Sequence, residues 1–551
     1  MKRQRMVVVM LIAGAALGAG AQETGIPPEA RAAFDQFSKA AFRANMRFLA
    51  DDLLEGRGTA TRGQELAARY VASQFEAFGL EPSGAGGSYF QDVPLREITI
   101  DTAASGMSVT IDGTSTTLKW GADFLMRGNP LDPDAQVEAP VVFVGYGVVD
   151  PARKYDDYAG VDVKGKIVAM LDGSPASFPA NERAHFGSSL QKAREAAAHG
   201  AAGIIRLWTP VSEGILPWGR SASQAQLPGF RWLDANGQPV DTFKEIRAAA
   251  AVSIGVAEKL FAGSRTPYKD ALKQAESGTM KPFDLPVTAH LHAVSKHRAV
   301  KSPNVVGLLR GSDPDRAREY VVYSAHTDHL GIGPAVNGDT IYNGAVDDAS
   351  GTSALIELAR AFTRLGKPPA RSILFLATTG EETGLLGADY FAHLPAVPVR
   401  SIVADLNMDG ASVFYAFKDV IGDDHSTLGD VIARNAGILG LQVSPDPMPE
   451  QVGFVRADHY PFVRQGIPAV TIVEGLQAKD PKVDGRKFVE DWIAARYHAP
   501  SDDMSQPLDV DAAIQFLRLN FLVGYEVAQS RVRPAWKRGD FFGDLFGARH
   551  D

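Results

Sequence analysis

From Val305 onward, short apolar runs alternate with longer amphipathic stretches, and this alternation dictates a mostly parallel sheet flanked by helices. Residues 320–324, 373–377, 402–406 and 469–473 read as strands, because each is short, rich in Val, Ile, Leu and aromatic residues, and without a polar face. Residues 350–365 repeat Leu355, Leu358, Phe362 and Leu365 at helical spacing, and 509–529 reads as a longer helix with an apolar face. Strands separated by helices need crossover connections and therefore pair in parallel. A parallel sheet gathers its strand C-termini on one edge, where open α/β folds bind their ligands.

That edge collects the polar residues. Run 320–324 leads into Ala325-His326-Thr327-Asp328-His329, run 373–377 into Thr378-Thr379-Gly380-Glu381-Glu382, and run 402–406 into Asn407-Met408-Asp409. Asp347-Asp348 stands just before helix 350–365, and Tyr497-His498 lies in a loop before the last helix. Carboxylates buried side by side are costly unless a cation or a proton compensates them. Such stations fit a site for two divalent ions roughly 3.5–4 Å apart, with one carboxylate bridging them. The 551 residues include no cysteine, so the donors are imidazole and carboxylate; these suit zinc, with manganese or cobalt as alternatives. A carboxylate outside the ligand set must then carry the proton from water to the leaving group.

The rest of the chain sets the context. Met1-Lys2-Arg3-Gln4-Arg5, an apolar stretch over 6–19 and Ala19-Gly20-Ala21 form the pattern of a signal peptide over 1–21, so the expected location is periplasmic or secreted. Without Lys2, Arg3 and Arg5, 53 basic face 65 acidic residues, a net charge of −12 that argues against nucleic-acid binding. Absence of cysteine in an exported chain leaves stability to the core. Helices are expected over 41–54 and 63–79, with the Gly-rich segment 54–59 read as a turn between them. Short strands over 107–111, 139–144, 166–171 and 203–207, with a helix over 191–199, mark a different texture between about 100 and 280. Within 208–240, Trp218, Phe230 and Trp232 read as packing groups. Residues 536–551 read as a C-terminal tail.

The ordered set His326-Thr327-Asp328, Asp347-Asp348-Ala349-Ser350-Gly351, Glu381-Glu382, Asp409 and His498 resembles the co-catalytic zinc peptidase family of secreted bacterial aminopeptidases and glutamate carboxypeptidase. The resemblance covers about 30–95 and 285–530, so the peptidase domain is expected over 22–99 and 281–535. Gly145-Tyr146-Gly147 and Asp162-Val163-Lys164-Gly165-Lys166-Ile167-Val168 resemble a protease-associated domain (about 130–265), within an inserted β-rich region, 100–280. The resemblance implies two zinc ions, His326 and Asp409 on one, Glu382 and His498 on the other, with Asp347 bridging. It implies Glu381 as general base, Asp328 orienting His326, and a cis peptide between Asp347 and Asp348. Asp348 reads as structural beside Ser350, an expected helix N-cap. His329 reads as a supporting or solvent-facing residue.

One departure concerns the tyrosine that some family members place four residues before Asp458-His459. Here Phe454 stands in its place and cannot donate a hydrogen bond. Arg456 is the expected replacement, with His459 as an alternative substrate contact. Sister deacylases carry a lid domain between the later acidic ligand and the last histidine, whereas here only 88 residues separate Asp409 from His498 and the insertion precedes His326. That order favours an aminopeptidase acting on peptides. A carboxypeptidase or dipeptidase, in which arginines would bind a C-terminal carboxylate, and an inactive peptidase-like binding protein are the alternatives.

Overall fold

The computed structural model describes residues 25–422, 425–448 and 453–547; the signal peptide expected over 1–21 lies outside them. Strands Ala469–Thr471, Ile402–Asn407, Tyr320–His326 and Ser372–Thr378 lie side by side in that order, all parallel. Successive side chains of a strand point to opposite faces, and the packing follows that rule. Val321, Tyr323, Ala325, Ile373, Phe375 and Ala377 enter one core, with helices Lys39–Leu49, Arg62–Phe78, Gly351–Thr363 and Val510–Gln529. Val322, Leu374 and Leu376 enter the opposite core, with helices Leu386–His393 and His459–Arg464. The α/β class therefore holds for this half of the molecule, in parallel form.

The sheet as a whole is mixed. Strand Phe283–Leu309 runs for 27 residues and pairs antiparallel to all of its partners: Val305 to Leu309 face Ala377 to Ile373, Ser295 to Val305 face Ile100 to Phe90, and Val287 to His292 face Ile111 to Gly106. At about 3.4 Å per residue it is on the order of 90 Å long, and it joins both halves into one fifteen-stranded sheet among the described residues. Its alternating burial from Phe283 to Ala293 packs a second core around Phe143, Phe261 and Leu291. That core is not purely antiparallel, since Asp134–Phe143, Ile167–Leu171, Gly203–Leu207 and Ala248–Val252 are parallel neighbours.

Two segments depart from expectation, and a third, 208–240, takes a shape for which the sequence set none. Residues 469–473 split after Thr471, and Val473–Glu474 joins a separate small sheet. In the tail, helix Phe541–Phe546 buries Phe542 and Phe546 in the same core as Leu374 and Phe462, so its apolar face makes it part of the body. Segment 208–240 forms helices Pro210–Ile215 and Trp218–Gln224 and strand Gly229–Trp232, which pairs with Leu95 to Ile98. No helix among the described residues is long and apolar enough to cross a membrane.

Candidate metal centre

The parallel edge brings the polar stations together. His326 ends its strand, and Glu381-Glu382 follow strand Ser372–Thr378 across Gly380, whose φ of +68° supplies a left-handed turn. Asp347 Oδ1 lies 3.3 Å from His326 Nε2, while its Oδ2 lies 3.3 Å from His498 Nε2. Asp409 Oδ1 stands 3.7 Å from His326 Nε2, and Glu382 Oε2 stands 3.1 Å from His498 Nε2. Glu381 Oε2 is 4.0 Å from His326 Nε2, at the margin of this group.

These spacings suit cations. Two atoms each about 2.1 Å from a tetrahedral zinc are about 3.4 Å apart. His326 Nε2 is buried and makes no hydrogen bond, although three carboxylates lie within 4.0 Å of it. Ligand atoms of His326, Asp347 and Glu382 all fall within 4.8 Å of one another. A second such group joins His326, Asp348 and Asp409, but Asp348 is already engaged by the backbone. Its Oδ1 accepts from the N–H groups of Gly351 and Gly410 at 2.8 and 2.9 Å, and its Oδ2 accepts from that of His326 at 3.2 Å. Asp348 thus bonds the first N–H of helix Gly351–Thr363, the place expected for Ser350. The Ser350 hydroxyl instead donates to the Val346 carbonyl and accepts from the Ala411 N–H, both at 2.8 Å.

The two adjacent acids differ electrostatically. Burial and neighbouring Asp347 push Glu382 up, but His498 and His329 outweigh them and hold its pKa at about 2. Burial pushes Glu381 well above the usual carboxyl range; Asp409, Glu382 and Asp458 add to this and His326 opposes it. Burial pushes Asp347 up, but the imidazoles of His326, His498 and His329 outweigh it and hold Asp347 well below that range. These are the directions set by the protein groups alone.

The surrounding contacts correct several expectations. The Asp328 carboxylate does not bond His326, since Oδ1 is 3.8 Å from Nδ1. The Asp328 backbone carbonyl faces Nδ1 at 3.1 Å, which fixes the ring and leaves Nε2 for a cation. The carboxylate accepts from the Thr59 hydroxyl at 2.9 Å and from the Glu381 N–H at 3.2 Å, so it anchors the proposed base through its backbone. His329 is buried, with Nδ1 2.6 Å from Glu382 Oε1, which excludes a solvent-facing role. The Asp347-Asp348 peptide is cis.

Arg456 is exposed and donates to the Tyr497 hydroxyl at 2.9 Å. The Tyr497 ring stacks on His498, with centroids 3.8 Å apart. His459 is buried at 2 % exposure, with Nδ1 2.9 Å from the Thr471 hydroxyl and its ring against Phe454. Phe454 in turn packs on His425 and Phe542.

Two supporting residues escaped the sequence reading. Arg57, in the supposed turn 54–59, is fully buried and donates to the carbonyls of Thr327, Leu49, Asn343 and Gly344. Asp502 accepts from the N–H groups of Val346 and Asp347, which fixes the Asp347 backbone.

Residues 304–522 match the pattern of peptidase family M28. The chain is 30 % identical over 247 residues to a probable leucine aminopeptidase 2 of Aspergillus oryzae, covering 42 % of this chain and 45 % of that one. It is 25 % identical over 248 residues to aminopeptidase YwaD of Bacillus subtilis, covering 43 % and 44 % respectively. The chain thus spans less than half the length of these curated relatives. An aminopeptidase structure from Aneurinibacillus sp. strain AM-1 shares the fold, with a TM-score of 0.54 at 18 % identity over 91 % of this chain and 96 % of that one.

Proposed function

Residues 304–522 belong to peptidase family M28, and from that premise we propose that the chain is an exported, dinuclear zinc aminopeptidase releasing N-terminal residues from peptides. The observation that carries this reading is Asp347, whose two oxygens face two different imidazole nitrogens at 3.3 Å each. A bridging carboxylate does this; an ordinary buried ion pair has no need to divide itself so. His326 and Asp409 would hold one ion, and Glu382 and His498 the other. Zinc at such a site supplies Lewis acidity and lowers the pKa of water toward about 7. Glu381 would take the proton of the attacking water on its carboxylate and return it to the departing amine. Asp328 and Gly380 hold the Glu381 backbone so that its side chain diverges from that of Glu382. The inserted region, read as containing a protease-associated domain, would cap the site and limit substrate size.

The deciding experiment compares peptides with free and with acetylated N-termini. Cleavage of free peptides alone is expected, and cleavage of blocked peptides alone would refute the aminopeptidase reading. Arg456 beside Tyr497 supports a second reading, a carboxypeptidase binding a C-terminal carboxylate. Amidating that terminus separates the two, because only the second reading expects the amide to be a poor substrate. Chelation should abolish hydrolysis and added zinc should restore it. Asp347→Ala is expected to lose both ions, which elemental analysis would read directly; retention of two ions would remove Asp347 from the bridge.

A further inference from the structure

The part of the insertion without a role so far is helix Trp218–Gln224, and it reaches the loop bearing His498. Arg220 Nη2 donates to the Ala494 carbonyl at 2.6 Å, and Nη1 to those of Tyr497 and Ile493 at 3.2 and 3.4 Å. Gln224 Nε2 donates to the His498 carbonyl itself at 3.4 Å. Helix Gly485–Ala495 ends here, and the last carbonyls of a helix lack intrahelical partners and attract cations. His498 follows with a φ of +54°, a conformation that a non-glycine residue keeps only when its surroundings impose it.

The clamp is anchored in the insertion. Trp218 Nε1 donates to the Gly121 carbonyl at 2.8 Å, and its ring meets Trp208 edge to face at 5.2 Å. Glu213 Oε2 accepts from both Trp208 Nε1 and the Trp218 N–H at 3.0 Å. Trp208 in turn is buried beside strand Ala248–Val252, donating its N–H to the Val252 carbonyl. A continuous set of contacts therefore links the insertion's core to the His498 side of the metal centre.

We propose that Arg220 is a positioning residue through which the inserted region fixes His498 and so sets the affinity of the Glu382–His498 half of the site. This rests on the two-ion reading above. The inserted region is then a structural part of the metal centre as well as its cover.

The test is a zinc titration of full-length wild-type, Arg220→Ala, Arg220→Lys and Gln224→Ala proteins against a competing chromophoric chelator. Wild type should show two sites. Arg220→Ala should weaken one of them by about 10–100-fold, the range for residues supporting a metal ligand, and leave the other and the melting temperature of the zinc-free protein unchanged. Arg220→Lys should recover part of the loss, and Gln224→Ala should show a smaller one. Two wild-type sites that Arg220→Ala leaves unaltered, or weakens equally along with the melting temperature, would overturn the role of Arg220 alone. A wild type with a single site indifferent to His498→Ala would overturn the two-ion reading and this inference with it.

Discussion

Glu381→Gln is expected to lower kcat by about three to four orders of magnitude, while zinc content and KM stay near wild type. A positioned general base contributes about 10²–10⁴-fold, and in the proposed mechanism the same group also returns the proton to the amine. The amide is the same size and still accepts a hydrogen bond, so it tests proton transfer and little else. Zinc should remain because Glu381 Oε2 sits at the margin of the cluster, 4.0 Å from His326 Nε2, whereas Glu382 Oε2 is 3.1 Å from His498 Nε2. The opposite pKa directions of the two neighbours point the same way. Glu382, near 2, stays an anion fit to hold a cation, while burial gives Glu381 an affinity for the proton it must carry. Glu382→Gln is accordingly expected to cost metal as well as rate. If Glu381→Gln kept most of its activity with zinc bound, the base would have to be sought elsewhere.

The contrast between those acids shows what a sequence can disclose. An apolar run ending in Gly380-Glu381-Glu382 is a local pattern, and strand ends at a parallel edge converge whatever the distant loops do. That is why the stations at His326, Asp347, Glu381, Glu382, Asp409 and His498 were legible together. Strand Phe283–Leu309 was missed, although Phe283, Leu285, Val287, Ala289, Leu291 and Ala293 alternate as a half-buried strand should. Its outward residues include histidines and lysines, and its length exceeds any ordinary strand. Contacts set by tertiary packing left no local trace. Nothing near Asp328 says that its carbonyl, not its carboxylate, meets His326. Nothing in 208–240 says that Arg220 meets carbonyls more than 270 residues away. The segment 54–59 looked like a turn because its glycines do turn the chain, and only the assembled fold shows what Arg57 reaches.

Arg57→Ala is therefore expected to be the most destabilising single change outside the apolar cores, costing on the order of 3–5 kcal/mol. The guanidinium spans four carbonyls from three separate segments: Nε to Thr327 at 2.9 Å, Nη1 to Leu49 and Asn343 at 2.5 Å each, and Nη2 to Gly344 at 2.9 Å. Burial disfavours its charge, and the surrounding Asp348, Asp502, Asp328 and Asp347 restore part of what burial removes. Truncation strands the four carbonyls without donors and leaves those acids without their buried cation. Both effects fall on the segments that carry His326 and Asp347, so activity should fall with stability. Arg57→Lys should rescue little, since an ammonium offers three donors from one point and cannot reproduce a planar fork. The urea midpoint of the zinc-free protein measures the effect without interference from the ions. A midpoint unchanged in Arg57→Ala, or fully restored in Arg57→Lys, would show that water or rearrangement serves those carbonyls equally well.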